Sequence, residues 1–125
     1  MTRVLLVDDD ADGRTLLTHI LLRAEIETEA VRSAEEAVSM LDRYKYDAVI
    51  IDLILPGMDG LELLRNIRRN LHTSRVCCVA LTAFHSTSIE KQALDMGFDA
   101  YFVKPIEPRT FAAELLALIE RRRAN

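Results

Sequence analysis

A chain of 125 residues, half of them hydrophobic, is long enough for one domain with a buried core and excludes a disordered tail or fibrous repeat. Its net charge of −4 argues against direct nucleic-acid binding, and no apolar run nears the roughly 18 to 20 residues that span a bilayer. The first residues enter a strand with no signal-peptide pattern, so a cytoplasmic protein with no membrane partner is expected.

Residues 3–7 read as a buried strand that ends abruptly in Asp8, Asp9 and Asp10. A helix follows with Leu16, Leu17, Ile20, Leu21 and Ala24 at helical spacing, and Asp10 suits its N-cap. Residues 27–31 form a shorter, more polar strand, expected at a sheet edge. Ser33 and Glu36 make a capping-box pattern for a second helix, whose apolar face is Ala34, Ala37, Val38 and Leu41.

Residues 47–51 form a central strand, apolar enough to be buried on both faces, with Asp52 at its C-terminal end. After a loop holding Pro56, Gly57 and Gly60, the pair Asp59 and Glu62 opens a third helix, with Leu61, Leu64, Ile67 and Leu71 expected inward. Residues 76–81 are the next buried strand. Within it the adjacent Cys77 and Cys78 point to opposite faces and act as small buried hydrophobes. Thr87 and Glu90 suggest the cap of a fourth helix, which Gly97 ends in the left-handed region. Ala100–Val103 is the last strand, followed by Lys104 and Pro105. The final helix starts near Pro108, buries Phe111, Leu115, Leu118 and Ile119, and ends in three arginines suited to its dipole.

Five strands alternating with five helices predict a parallel sheet covered on both faces, a three-layer doubly wound α/β fold. Ligands of such sheets bind at the strand C-termini. That edge collects Asp8 and Asp9, Asp52, Thr82 and Lys104, polar groups that only the fold brings together. Carboxylates so close repel, by roughly 4 kcal/mol for two charges about 4 Å apart at a surface-like dielectric. Lys104 offsets one charge, and a hard divalent cation, Mg²⁺ by preference of oxygen ligands, offsets the rest. A carboxylate nucleophile beside a cation, a hydroxyl and a lysine suits phosphoryl transfer onto Asp52.

These residues, with Leu55, Pro56, Gly57, Met58, Asp59 and Gly60 after Asp52, Ala83 after Thr82 and Pro105 after Lys104, carry a resemblance in register over nearly the whole chain. The sequence resembles the receiver domain of two-component response regulators. The resemblance implies a single receiver over residues 1–125 with strand order 2-1-3-4-5. It implies that Asp52 accepts a phosphoryl group from a histidine kinase or histidine phosphotransfer protein. Asp9, Asp52 and the Ile54 carbonyl would bind Mg²⁺ directly, and Asp8 mostly through water. Thr82 and Lys104 would contact the phosphoryl group. Tyr101 would turn inward as Thr82 moves, changing the face made by the fourth helix, fifth strand and fifth helix. A downstream effector protein or output domain would read that face, which is also where a homodimer would form.

By the same resemblance Ile54 and Phe84 flank the acyl phosphate, and as apolar groups they would slow its hydrolysis. The histidines, His19, His72 and His85, lack the setting of a phosphotransfer residue and read as solvated or capping groups. The chain is therefore expected to be a signalling switch and not an enzyme acting on other substrates. Two rival readings stay open: a degenerate receiver used only for docking, which would be expected to lose acids, and a haloacid-dehalogenase-like phosphatase. The latter wants a second acid two residues after the nucleophile, where this chain has Ile54. A flavin or nucleotide protein is weaker, because no glycine-rich loop follows the first strand.

Overall fold

The computed structural model describes residues 1–124. In chain order they form β1 (Thr2–Val7), α1 (Ala11–Arg23), β2 (Ile26–Val31), α2 (Ala34–Arg43), β3 (Ala48–Asp52), α3 (Gly60–Arg69), β4 (Cys77–Thr82), α4 (Thr87–Met96), β5 (Ala100–Val103) and α5 (Pro108–Ala124). The strands make one parallel sheet in the order β2-β1-β3-β4-β5, as expected. Every residue of β3 and β4 is buried, which is why both read as uninterrupted apolar runs. The polar strand β2 lies at the edge, paired only with β1.

Side-chain alternation along the strands divides the core into two layers. Leu5, Val7, Val49, Ile51, Cys78 and Ala80 pack with α2 and α3 through Leu41, Leu63, Leu64 and Ile67. Val4, Leu6, Ile50, Cys77, Val79 and Leu81 pack on the other face with α1 and α5, through Leu17, Leu21, Phe111 and Leu115. The two cysteines therefore do face opposite layers. Burial pushes their thiols up, to about 11 for Cys77 and about 12 for Cys78, so neither is a thiolate at neutral pH.

Helix starts follow the capping chemistry with two corrections. Asp10, Ser33 and Asp59 each accept the amide three residues on, from Gly13, Glu36 and Glu62. The capping box at Ser33 is only half made, because Glu36 pairs with Arg32 instead of reaching back. The cap of α4 is Ser86, which accepts from the Ile89 amide, one residue before the expected Thr87. Two expected core residues are on the surface. Leu71 lies past the end of α3 and is 92% exposed, while Leu16 is 60% exposed because α1 buries its seam through Leu17 and Leu21. Gly97 does end α4, at φ 117°.

The terminal arginines do more than face a helix dipole: Arg122 pairs with Asp99 and Arg123 with Asp47. Asp99 also accepts from the Cys78 amide and from Arg68, which further donates to the carbonyls of Ser74, Val76 and Gly97. This network ties α3, β4 and α5 together at the end of the sheet opposite the acids.

At the acid end, α3 begins very close to β3. The Gly60 amide donates to the Leu53 carbonyl, and a Cβ on Gly60 would lie 2.6 Å from the Asp52 carbonyl oxygen and 2.8 Å from the Leu53 Cα. Both obstacles are backbone, so they cannot swing aside. Gly60→Ala is expected to cost about 2 to 3 kcal/mol in urea unfolding, since overpacking against backbone is met by shifting an element. A loss under about 0.5 kcal/mol would show that α3 is free to move away from β3.

Candidate functional site

Each polar residue of the site is the terminal residue of a strand or lies one or two residues beyond it. Asp8 follows β1, and its amide donates to the Val31 carbonyl, which extends the β1–β2 ladder. Asp52 is the last residue of β3, and Thr82 the last of β4. Lys104 follows β5, and its amide donates to the Thr82 carbonyl at 2.8 Å. The backbone of each is thus fixed by the sheet, while the side chain meets the loops.

The carboxylates of Asp8, Asp9 and Asp52 each offer an oxygen, and these lie within 4.8 Å of one another. Asp8 is wholly buried, Asp52 nearly so, and Asp9 is exposed. The Lys104 ammonium donates to Asp52 Oδ2 at 2.8 Å and to Asp8 Oδ2 at 2.9 Å. Their second oxygens accept backbone amides, Asp52 Oδ1 from Ile54 at 2.9 Å and Asp8 Oδ1 from Asp10 at 3.0 Å. One lysine is therefore shared by two buried acids, while the third acid, Asp9, lies exposed.

Burial pushes the Asp52 carboxyl above its ordinary value. Lys104 and the Ile54 amide oppose that rise, and the charge of Asp8 adds to it. Burial works against the Lys104 ammonium too, but the hydrogen bonds and charges of Asp52 and Asp8 outweigh it, so its pKa is raised. The lysine stays charged, and it faces three carboxyl groups. An all-oxygen set with more acids than cations is the donor chemistry of hard divalent cations. Among the described residues no donor occupies the Ile54 carbonyl, so it stays available as one more oxygen ligand.

The structure gathers Asp8, Asp9, Asp52 and Lys104 into one contact group, with Thr82 at the same sheet edge. Thr82 is 1% exposed, and its hydroxyl accepts the Phe84 amide at 3.1 Å. Tyr101 lies in β5, partly buried, and its hydroxyl is hydrogen-bonded to His85 Nδ1 at 3.0 Å. His85 is therefore not merely solvated. Ile54 and Phe84 are 53% and 66% exposed, at the ends of the loops beside Asp52 and Thr82.

Sequence reasoning missed three residues. Gly13 leaves room for Asp8, since a Cβ there would lie 2.8 Å from Asp8 Oδ2. Arg14 donates to the Asp8 carbonyl at 2.9 Å and holds the turn before α1. His85 touches Tyr101. Only Gly13 left a signal, as a glycine inside a helical pattern.

Breaking a buried ion pair from one side leaves its acids uncompensated. Lys104→Ala is expected to cost about 2 to 3 kcal/mol in urea unfolding at pH 7, below the full value for buried pairs because the lysine is partly solvated. The loss should shrink in an Asp52→Asn background and as pH falls, because protonating the acids removes the charge that Lys104 balances. Equal losses in both backgrounds would show that the pair is not coupled.

The chain is similar to known proteins along nearly its whole length. The response regulator receiver domain family matches residues 4–116. The transcriptional regulatory protein ResD of Bacillus subtilis is 34% identical over 120 residues, which is 96% of this chain and 49% of that protein. The phosphate regulon transcriptional regulatory protein PhoB of Pseudomonas aeruginosa is 32% identical over 118 residues, 94% of this chain and 52% of that one. The chain thus spans about half the length of the curated relatives it matches. Among solved structures, a sensor protein from Polaromonas sp. JS666 superposes with a TM-score of 0.90 at 28% identity, covering 97% of this chain and 98% of that one. The chemotaxis protein CheY4 of Vibrio cholerae gives 0.88 at 27% identity, covering 94% and 98%. With the family matched from the first strand into the last helix, the chain belongs to the response regulator receiver domains, and its role lies in two-component signalling.

Proposed function

We propose that this chain is a phosphorylation switch in which Asp52 accepts a phosphoryl group from a phosphohistidine of a histidine kinase or phosphotransfer protein. One observation carries the reading: a strand-end carboxylate held by Lys104 and a backbone amide, with two further carboxylates within 4.8 Å. A carboxylate oxygen of Asp52 attacks phosphorus, the phosphorus–nitrogen bond breaks, and its electron pair returns to the donor imidazole. The product is an acyl phosphate on Asp52.

The remaining residues act on the charge that moves. Lys104, which here bonds Asp52 and Asp8, transfers a hydrogen bond to a phosphoryl oxygen, and the Thr82 hydroxyl donates to another. Asp8, Asp9 and Asp52 with the Ile54 carbonyl would hold Mg²⁺. When bound, that ion neutralises the phosphoryl oxygens. The modification adds close to two negative charges where one lysine already serves two acids. Drawing Thr82 inward is how that local charge becomes a change of shape, with Tyr101 following into the space it leaves. The face of α4, β5 and α5 then differs between the two states. A partner protein or an output domain reads it, with no nucleic acid touching this domain.

The absent second acid at Ile54 separates this site from a phosphatase that would turn over outside substrates. Ile54 and Phe84 stand at the mouth of the site and limit the approach of water to the acyl phosphate.

Acetyl phosphate with Mg²⁺ is expected to load one acid-stable, base-labile phosphoryl group, followed by intact mass spectrometry. Asp52→Asn or chelation of Mg²⁺ should abolish it. No uptake from acetyl phosphate or from a histidine kinase would favour a docking module. Phe84→Glu, which sets a carboxylate where water approaches, is expected to shorten the phosphoryl lifetime by about an order of magnitude. An unchanged lifetime would remove Phe84 from the account.

A further inference from the structure

We infer that residues 84 and 85 form a latch between Thr82 and Tyr101, with His85 as a positioning residue that holds Tyr101 in the resting arrangement. The last step, release by phosphorylation, rests on Asp52 being the phosphoryl acceptor. The latch itself belongs to the unphosphorylated protein.

Two hydrogen bonds lie end to end along this path. The Thr82 hydroxyl accepts the Phe84 amide at 3.1 Å, and one residue further His85 Nδ1 is bonded to the Tyr101 hydroxyl at 3.0 Å. The His85 and Tyr101 rings also touch, with centroids 5.5 Å apart and planes tilted by 54°. The segment between β4 and α4 has little else to fix it. Residues 83–85 are all exposed, with Phe84 placing most of its ring in solvent, until Ser86 caps α4. Its position therefore follows its two ends, Thr82 and Ser86.

Tyr101 differs from its neighbours in this respect. It sits on β5 opposite Ala80 and packs its ring partly against the layer that includes Ala93 and Phe98. Its hydroxyl end is held by the His85 side chain, with the Ser86 amide of the same segment also directed at it, so both restraints move with that segment. For the ring to turn inward, the bond to His85 has to break. While Thr82 accepts from Phe84, the segment keeps His85 in place and the bond persists. A Thr82 hydroxyl that swings toward the acid cluster leaves the Phe84 amide behind, since a bond already at 3.1 Å does not survive a shift of an ångström or more. The segment then loses its anchor at one end, and Tyr101 loses His85.

A single neutral hydrogen bond is a modest restraint, which suits a switch whose two states have to be close in free energy. Its removal is expected to change the ratio of inward to outward Tyr101 about three- to tenfold.

The test uses the unphosphorylated chain labelled with 3-fluorotyrosine and observed by fluorine NMR. A soluble gadolinium chelate reports how exposed each ring is. The chain has three tyrosines, and the Tyr101 signal is the one missing in Tyr101→Phe. His85→Ala is expected to protect Tyr101 from the chelate while Tyr44 and Tyr46 respond as in the wild type, which also verifies folding. His85→Asn keeps a hydrogen-bonding group near the position of Nδ1 and should restore the wild-type response. Thr82→Val, which lacks the acceptor hydroxyl, should move Tyr101 in the same direction as His85→Ala. A Tyr101 signal unchanged in His85→Ala or in Thr82→Val overturns the latch, as does His85→Asn behaving like the alanine variant. None of these readouts requires phosphoryl uptake, so a failure of Asp52 to be phosphorylated is a separate result and leaves the latch standing.

Discussion

One ammonium group shared by two buried carboxylates is the interaction on which the rest of the site depends. Lys104 reaches Asp8 and Asp52 from the far edge of the sheet, across the end of β4. It can do so only because the strands are parallel and their C-termini share one edge. Neither acid would tolerate burial without it, and the lysine alone cannot balance both. The cluster is therefore built to be incomplete. Its surplus of carboxyl groups over cations is the reason it suits a divalent cation, and in the proposed switch a cation there would let a carboxylate meet a phosphoryl group of the same sign.

The molecule's two ends are organised differently. At the end away from the acids, Arg68, Asp99, Arg122 and several backbone carbonyls form a closed network in which α3, β4 and α5 are tied together. At the acid end, the loop after β3 exposes Ile54 but buries Leu53 and Leu55, whereas the segment after β4 exposes Ala83, Phe84 and His85 in a row. A rigid base with one loosely held segment is the division of stability expected of a domain that changes shape at one edge only. Asp52 and the start of α3 are pinned by Gly60. The positions that move in the proposed switch, around Phe84 and His85, are held by single hydrogen bonds.

Much of this was legible in the sequence, because it followed from periodicity. Apolar runs marked β1, β3 and β4, and the polar residues at their ends, acids after β1 and β3 and Thr82 in β4, broke the pattern in a way that burial alone would not explain. Asp8, Asp9, Asp52, Thr82 and Lys104 could be placed on one edge from the alternation of strands and helices. What sequence reasoning could not see depended on side-chain geometry. Ser86 and Thr87 are both good caps, and only the path of the loop selects Ser86. Leu16 and Leu17 both fit a helical apolar stripe, and the angle of α1 on the sheet decides which is buried. Leu71 continued the spacing of α3 past the point where the helix ends. The pairing of His85 with Tyr101 joins residues from different elements and has no counterpart in spacing.

The central claim is that Asp52, with its neighbouring acids and Lys104, forms a pocket for a phosphoryl group. Beryllofluoride, a tetrahedral stand-in for that group, tests it without a kinase and without covalent turnover. Fluorine NMR of the chain with beryllofluoride and Mg²⁺ is predicted to show bound resonances distinct from the free species, absent when Mg²⁺ is chelated and absent in Asp52→Asn. No bound resonance in the wild type, or the same resonances in Asp52→Asn, would contradict the account.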